Sequence, residues 1–460
     1  MSLSTDELAV YFDYLRFPSI SAAPAHQQDC RDCANWLVEL LAKWGLASAL
    51  HETDGHPIVL AHTARESSKQ TLLIYGHYDV QPVEPLALWE TPPFEPSLRE
   101  GLVHARGATD NKGQTAALLI GLRRLLGRGP LPVNLVIFIE GGEEIGSPYL
   151  ADFISTHRPQ IACDGVLVCD TSLVTAGWPA ITLGLRGIVC LEILIHGPAK
   201  DLHSGIFGGA TANPAQALSR ILARATDADG RITIPGLYDD VLPVSNKELI
   251  SWQVLPWTAE WFTATTRCSA PTGEQNYSLL ERVWARPTFE INGLTSGHQG
   301  SGSKTIIPAT ALAKISLRLV PNQDPDVIAA LVATWLNQQI AAEGFVGEVT
   351  IDHGGYPFFT PPENPLVHAA EIALTQTFGR APAFTREGIS IPIASLLQRE
   401  MKVPIILAGL GLADCNAHSP NESFPISHLE LGAQFLENYV AQLGSSAAPS
   451  HTTSPNELHS

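Results

Sequence analysis

Thr71-Leu72-Leu73-Ile74-Tyr75-Gly76-His77-Tyr78-Asp79 runs from an apolar stretch into a histidine and an aspartate. The apolar part is continuous rather than alternating, which predicts a strand covered on both faces in a mostly parallel sheet. Asn134 to Ile139, Gly165 to Cys169 and Val403 to Ala408 read the same way. In open α/β sheets ligands bind beyond the carboxyl ends of the strands, so the residues after each run are the ones to inspect. They are polar throughout: His77 and Asp79 after the first run, Glu140, Glu143 and Glu144 after the second, Asp170 after the third, and Asp414 and His418 after the last. Asp110 stands in Arg106-Gly-Ala-Thr-Asp110-Asn111-Lys112-Gly113, just before a helical stretch, Thr115 to Leu126.

Thr5 to Leu15 and Gln27 to Trp44 have helical apolar spacing, and strand-like and helical runs then alternate. The predicted class is α/β, with a mostly parallel-sheet catalytic domain. From Ile188 to about His353 the texture changes to alternating strands, Ile188 to Ile195 and Leu312 to Val320, with helices at Asn213 to Ala225 and Asp324 to Ala342. This predicts an inserted α+β domain over 188–355. It divides a catalytic domain of 1–187 and 356–444, and a Ser/Thr/Pro/His-rich stretch, 445–460, is expected to be a disordered tail. Ile232 to Gln275, rich in Pro, Trp and Thr, carries no clear period.

The charge balance narrows the partners. Acidic residues number 46 against 28 basic ones, a formal net charge of -18, which opposes binding to nucleic acid or to an anionic membrane. No apolar stretch reaches the roughly 18 residues of a membrane span. Met1 to Phe12 has no basic stretch before an apolar core, so no signal peptide is expected. Seven cysteines, an odd number without a framework spacing, fit reduced thiols in the cytoplasm. Cys30 and Cys33 form a lone C-x-x-C inside a helical stretch, which reads as buried thiols rather than a zinc knuckle.

Each polar residue at the strand ends has an ordinary explanation by itself. A His-x-Asp is a weak pattern, Glu143-Glu144 suits a solvated turn, and Asp110 suits a helix cap. Gathered on one edge of one sheet, these acids and two histidines would repel one another unless a bound cation neutralised them. Glu143 and Glu144 are adjacent, so their side chains diverge and their roles should differ.

Gly76 to Pro82, Trp89 to Pro96, Arg106 to Gly113, Glu143 to Ser147 and Asn416 to Glu422 resemble, in order, the motifs of the M20 family of metallopeptidases. The resemblance implies one divalent metal on His77 and Asp170, a second on Glu144 and His418, and Asp110 bridging both. Zinc is the implied occupant, with manganese or cobalt as alternatives. It further implies Glu143 as general base towards a water bridging the ions, Asp79 orienting His77 from behind, and a cis peptide at Asp110-Asn111. Asp201-Leu-His203-Ser-Gly205-Ile-Phe-Gly-Gly209 resembles the lid motif of the dipeptidase-like branch, whose histidine reaches a partner subunit's site and stabilises the oxyanion. A homodimer through the inserted domain is therefore expected.

Ser303 to Pro308 and Leu317 to Pro321 match the same lid, which makes Arg318 a contact for the substrate carboxylate, although a structural ion pair would explain an arginine on a strand equally well. Glu387 and Ser390 are the other implied substrate contacts. There the sequence departs from the family: Arg386-Glu387-Gly388-Ile389-Ser390-Ile391-Pro392 has isoleucine where the branch usually has a second glycine, which puts the shape of the carboxylate pocket in question.

The expected activity is hydrolysis of dipeptides, with small peptides as substrates. An N-acyl amino acid deacylase of the same mechanism is the nearest alternative. An inactive metal scaffold fits poorly with the retention of Glu143, and a two-metal phosphoesterase lacks a phosphate clamp.

Overall fold

The apolar run that begins at Thr71 folds as a strand, Thr71–His77, with all of its residues buried. This is a computed structural model, and it describes residues 3–388 and 392–446. By its contacts the chain divides into one unit of Met1–Ile181, Thr360–Ala383 and Leu397–Ser460 and another of Thr182–Phe359 and Phe384–Leu396.

In the first unit Thr71–His77 lies between Asn134–Glu140 and Gly165–Val168 and is parallel to both. Ile405–Leu407 extends the parallel set on the far side of Gly165–Val168. Ile58–His62 and Ala47–His51 close the other side as antiparallel strands. The four parallel strands are the four apolar runs of the sequence. Their carboxyl ends therefore share one edge, where His77 pairs in register with Glu140.

Helices cover the sheet. Thr5–Leu15 starts with a capping box in which the Ser4 hydroxyl accepts from Glu7 N and the Glu7 carboxylate answers the Ser4 N–H. Lys112–Gly127 is buried along most of its length, starts directly after Asp110-Asn111 and packs on the last helix, Ile426–Ser446. Gly113 in its first turn is required for space, because a Cβ there would meet the Ala108 carbonyl oxygen at 1.9 Å. That close approach fixes the entry of the helix against the loop that carries Asp110.

The second unit is a four-stranded antiparallel sheet in the order Thr288–Ser296, Thr310–Leu319, Gly187–His196, Val346–Gly355. Gly187–His196 alternates buried and half-buried residues, as a sheet with one covered face requires. Pro214–Ala223 and Pro325–Ala342 cover that face, with Leu218, Ile221, Val332 and Leu336 set against Val189, Leu191, Ile193 and Ile195. The stretch from Ile232 to Gln275 contains two short helices, Asn246–Trp252 and Ala259–Thr266, each capped by a hydroxyl at its start.

The sequence-based boundaries differ from what is found: the second unit begins at Thr182 rather than 188 and runs to Phe359 rather than 355. Phe384–Leu396, assigned above to the second part of the catalytic domain, groups with the second unit. The physical cause is a buried ion pair, Arg386 Nε to Glu248 Oε1 at 2.7 Å, with the Trp252 indole donating to Phe384 O at 3.1 Å. The last helix also runs through residues 445 and 446, which the sequence assigned to the tail, while the rest of that tail lies outside the described residues. Among the described residues no helix is long and apolar enough to cross a membrane.

Candidate metal centre

His77 ends its strand fully buried, and its two ring nitrogens face different partners. Nδ1 faces Asp79, 3.1 Å from the backbone oxygen and 3.3 Å from Oδ1. Nε2 faces two carboxylates, Asp110 Oδ1 at 3.3 Å and Asp170 Oδ2 at 3.5 Å, yet has no hydrogen-bond partner. A ring that donates from Nδ1 to Asp79 turns an Nε2 lone pair toward two anionic oxygens. That arrangement is repulsive unless a cation stands between them. Burial works against charge on this ring, yet Asp110, Asp170 and Asp79 push its pKa well above the usual histidine range. The environment demands a positive charge at this point.

The same demand recurs at His418. Its Nε2 lies 2.9 Å from Asp110 Oδ2 and 3.3 Å from Glu144 Oε2, and these carboxylates, Asp110 first, raise its pKa to about 10. Asp110 thus turns Oδ1 toward one histidine and Oδ2 toward the other. His77, Asp110 and Asp170 offer ligand atoms within 4.8 Å of one another, and so do Asp110, Glu144 and His418. Imidazole nitrogens with carboxylate oxygens are donors suited to zinc and similar divalent ions. His77 Nε2 and Glu144 Oε1, both buried and without hydrogen-bond partners, leave one free donor in each group. The residues present therefore fit a pair of ions.

The loops around these groups are held by side chains that do not belong to either set. Asp79 accepts from Glu143 N through Oδ1 at 3.3 Å and from Glu144 N through Oδ2 at 3.1 Å, which caps the short turn Glu143–Ile145. Glu422, fully buried, accepts from Thr109 N at 2.8 Å and Asp110 N at 3.0 Å with one oxygen. Its other oxygen takes Gly107 N at 2.9 Å and Arg106 Nη1 at 2.7 Å. Asn111 Nδ2 donates to Asp170 Oδ1 at 2.6 Å, and the Asp110-Asn111 peptide is cis, as the resemblance implied. Asn416, His418 and Asn421 all have left-handed backbone, φ 57°, 60° and 61°. Asparagine and histidine are among the non-glycine residues found most often in that region, and such positions concentrate at functional loops.

Glu422 and Asn111 were inside the motifs quoted from the sequence, yet no role was read for them. The signal available was an acid four residues after a histidine, and an amide beside an acid, neither of which has a chemical meaning until the loop is folded.

Glu143 belongs to neither ligand group. Burial is the main cause that raises its pKa to about 8, with Asp170, Glu144 and Asp110 adding to it and His77 opposing it. Burial likewise raises Asp170 to about 6, with Asp110 adding to it and His77 opposing it.

The remaining sequence-derived residues lie in the second unit. His203 ends the two-residue strand Leu202–His203, is exposed, and its Nδ1 accepts the Gly205 N–H at 3.0 Å. Arg318 is half-buried near the end of Thr310–Leu319, opposite Ile188 and Thr288. Glu387 ends Ala383–Glu387, where its Oε1 accepts from the Thr182 hydroxyl at 3.2 Å. Ser390, like Ile389, lies outside the described residues.

Residues 73–442 match the model of Peptidase family M20/M25/M40. The chain is 31% identical over 451 residues to the Cys-Gly metallodipeptidase of Candida albicans, a match covering 94% of this chain and 93% of that one. It is 30% identical over 372 residues to the Beta-Ala-His dipeptidase of Homo sapiens, covering 80% of this chain and 73% of that one. Among solved structures it is similar to the M20 family metallo-carboxypeptidase Sso-CP2 from Sulfolobus solfataricus, with a TM-score of 0.78, 32% identity, and coverage of 96% of this chain and 100% of that one. With the family model spanning most of the sequence and the metal-ligand types gathered at the carboxyl edge of its parallel sheet, this chain belongs to Peptidase family M20/M25/M40.

Proposed function

We propose that this protein hydrolyses the peptide bond of dipeptides with two divalent ions, zinc by preference, in the groups around Asp110. The observation that carries this reading is the division of the Asp110 oxygens between His77 and His418. One bridging carboxylate with a histidine and a second acid on either side is the donor set of a two-metal hydrolase. The curated relatives named above are dipeptidases, which supports a dipeptide substrate over an N-acyl amino acid.

When bound, such a pair of ions polarises the scissile carbonyl and acidifies water. The chain's own groups supply the proton movements. Glu143 takes a proton from the attacking water on a carboxylate oxygen and passes it to the leaving amine. Asp79 holds His77 through Nδ1 and so keeps the Nε2 lone pair available. His203 suits an oxyanion donor: with Nδ1 occupied by the Gly205 N–H, its neutral ring carries the proton on Nε2. Arg318, Glu387 and Ser390 are assigned to the substrate's carboxylate end. The seven cysteines are all free, which favours a cytoplasmic site of action.

A homodimer through the inserted unit is part of this reading. Its edge strands expose apolar side chains, Val346 at 75% and Ile351 at 49% on one edge and Leu294 at 56% on the other. Long edge strands with apolar side chains are surfaces that a second chain covers. The check is complementation. His203→Ala and Glu143→Ala chains, each nearly inactive alone, regain part of the activity after mixing and subunit exchange, because one hybrid site has both groups intact. Loss of an oxyanion donor costs roughly 10²- to 10³-fold in turnover, so recovery stands clear of background. An active monomer in sedimentation contradicts it.

The name of the Sulfolobus relative gives a second reading, a carboxypeptidase acting on longer peptides. Metal-free protein resupplied with zinc, manganese or cobalt is assayed on dipeptides, tri- and tetrapeptides, and N-acyl amino acids. Dipeptides are expected to give the highest kcat/KM. Preference for longer peptides or for N-acyl amino acids would replace the dipeptidase reading with one of the others.

A further inference from the structure

Gln81 lies in the stretch Gly76 to Pro82, two residues after Asp79. Its Nε2 donates to Glu144 Oε2 at 2.8 Å and reaches the Glu144 backbone oxygen at 3.4 Å. The other carboxylate oxygen, Oε1, is buried without a hydrogen-bond partner. The oxygen that takes the amide is thus also the one that faces His418 Nε2, at 3.3 Å. We propose that Gln81 is a positioning residue that fixes the Glu144 carboxylate, holding Oε2 toward the ion shared with Asp110 and His418.

The backbone around Gln81 is built to hold this amide in place. On one side Val80 N donates to Ser19 O at 3.0 Å, and the Val80 side chain packs with Ile20 and Val83. On the other side Pro82 O accepts from Arg106 Nη2 at 3.0 Å. Arg106 is itself held by Glu422, the residue that also fixes Asp110 N. The same network thus locates the amide that reaches Glu144 and the carboxylate shared between the two groups.

The chemical type of the side chain fits the task. An amide donates one hydrogen bond to a carboxylate without adding a charge. Lysine or arginine at this position would put a permanent cation beside Glu144 and compete with the ion for it. A second acid would repel it. Outer partners that orient a ligand in this way typically affect metal affinity by about 10- to 100-fold.

The proposal rests on the reading of Glu144 as a metal ligand, and the test separates the two. Full-length protein freed of metal is titrated with cobalt(II) against a competing chelator while visible absorption is recorded. Wild type, Gln81→Met, Gln81→Leu and Glu144→Ala are compared, with Tm measured for each. Expected are two cobalt ions in the wild type and one in Glu144→Ala. In both Gln81 variants the ion lost in Glu144→Ala binds about 10- to 100-fold more weakly while the other is unchanged. With Oε2 no longer held by the amide, the carboxylate can turn, so the coordination geometry of that ion and with it its visible absorption change. Unchanged affinity and spectrum in a folded Gln81 variant would overturn the proposal, and so would equal weakening of both ions in step with a fall in Tm. Wild type binding fewer than two ions, or Glu144→Ala keeping both, would overturn the assignment of Glu144 itself.

Discussion

Glu143→Gln lowers turnover of a dipeptide by about 10²- to 10⁴-fold while both ions stay bound. The fold-change corresponds to roughly 3–5 kcal/mol at the transition state. The substitution is nearly isosteric and leaves the Glu143 N–H to Asp79 untouched, so the turn that also carries Glu144 keeps its cap. What is lost is the ability to take up and release a proton. Burial already pushes this carboxyl up to about 8, towards the working range of a base at neutral pH. Metal content by elemental analysis and kcat on the same preparation make the check. A variant that loses an ion along with its activity would place Glu143 among the ligands and reverse its roles with Glu144.

Asp110→Ala weakens binding at both metal positions, beyond the roughly 10- to 100-fold that a change outside the ligand set costs. The expectation follows from the divided carboxylate, Oδ1 toward His77 and Oδ2 toward His418. Asp170→Ala, which touches only the His77 group, weakens one position and spares the other. The comparison is made by chelator competition on the two variants side by side. Loss of a single ion in Asp110→Ala would mean that the two groups do not share this residue.

Much of this arrangement was legible from the chain alone because the relevant strands are buried on both faces. Continuous apolar runs such as Thr71–His77 and Asn134–Glu140 reveal their ends within a residue or two, and the candidate ligands sit at or just beyond those ends. Adjacent acids at Glu143 and Glu144 could be told apart by the geometry of neighbouring residues, and in the structure Glu144 falls in the candidate group with Asp110 and His418 while Glu143 does not.

The parts not legible depend on contacts distant in sequence. Arg386 meets Glu248 across 138 residues, and Glu422 meets Asp110 across 312. Neither pairing leaves a local pattern. Gln81 is similar, since a neutral amide next to a proline has no chemical signature until the carboxylate 63 residues on comes within 2.8 Å.

On the proposed reading, this one edge of the parallel sheet holds two ions that act together. The direct measurement is a zinc titration of metal-free protein in which bound metal and dipeptide hydrolysis are followed on the same sample. Two zinc ions per chain, no hydrolysis in the metal-free protein, and full activity only as the second position fills are expected. Saturation at one ion per chain, or hydrolysis that persists without metal, would contradict that reading.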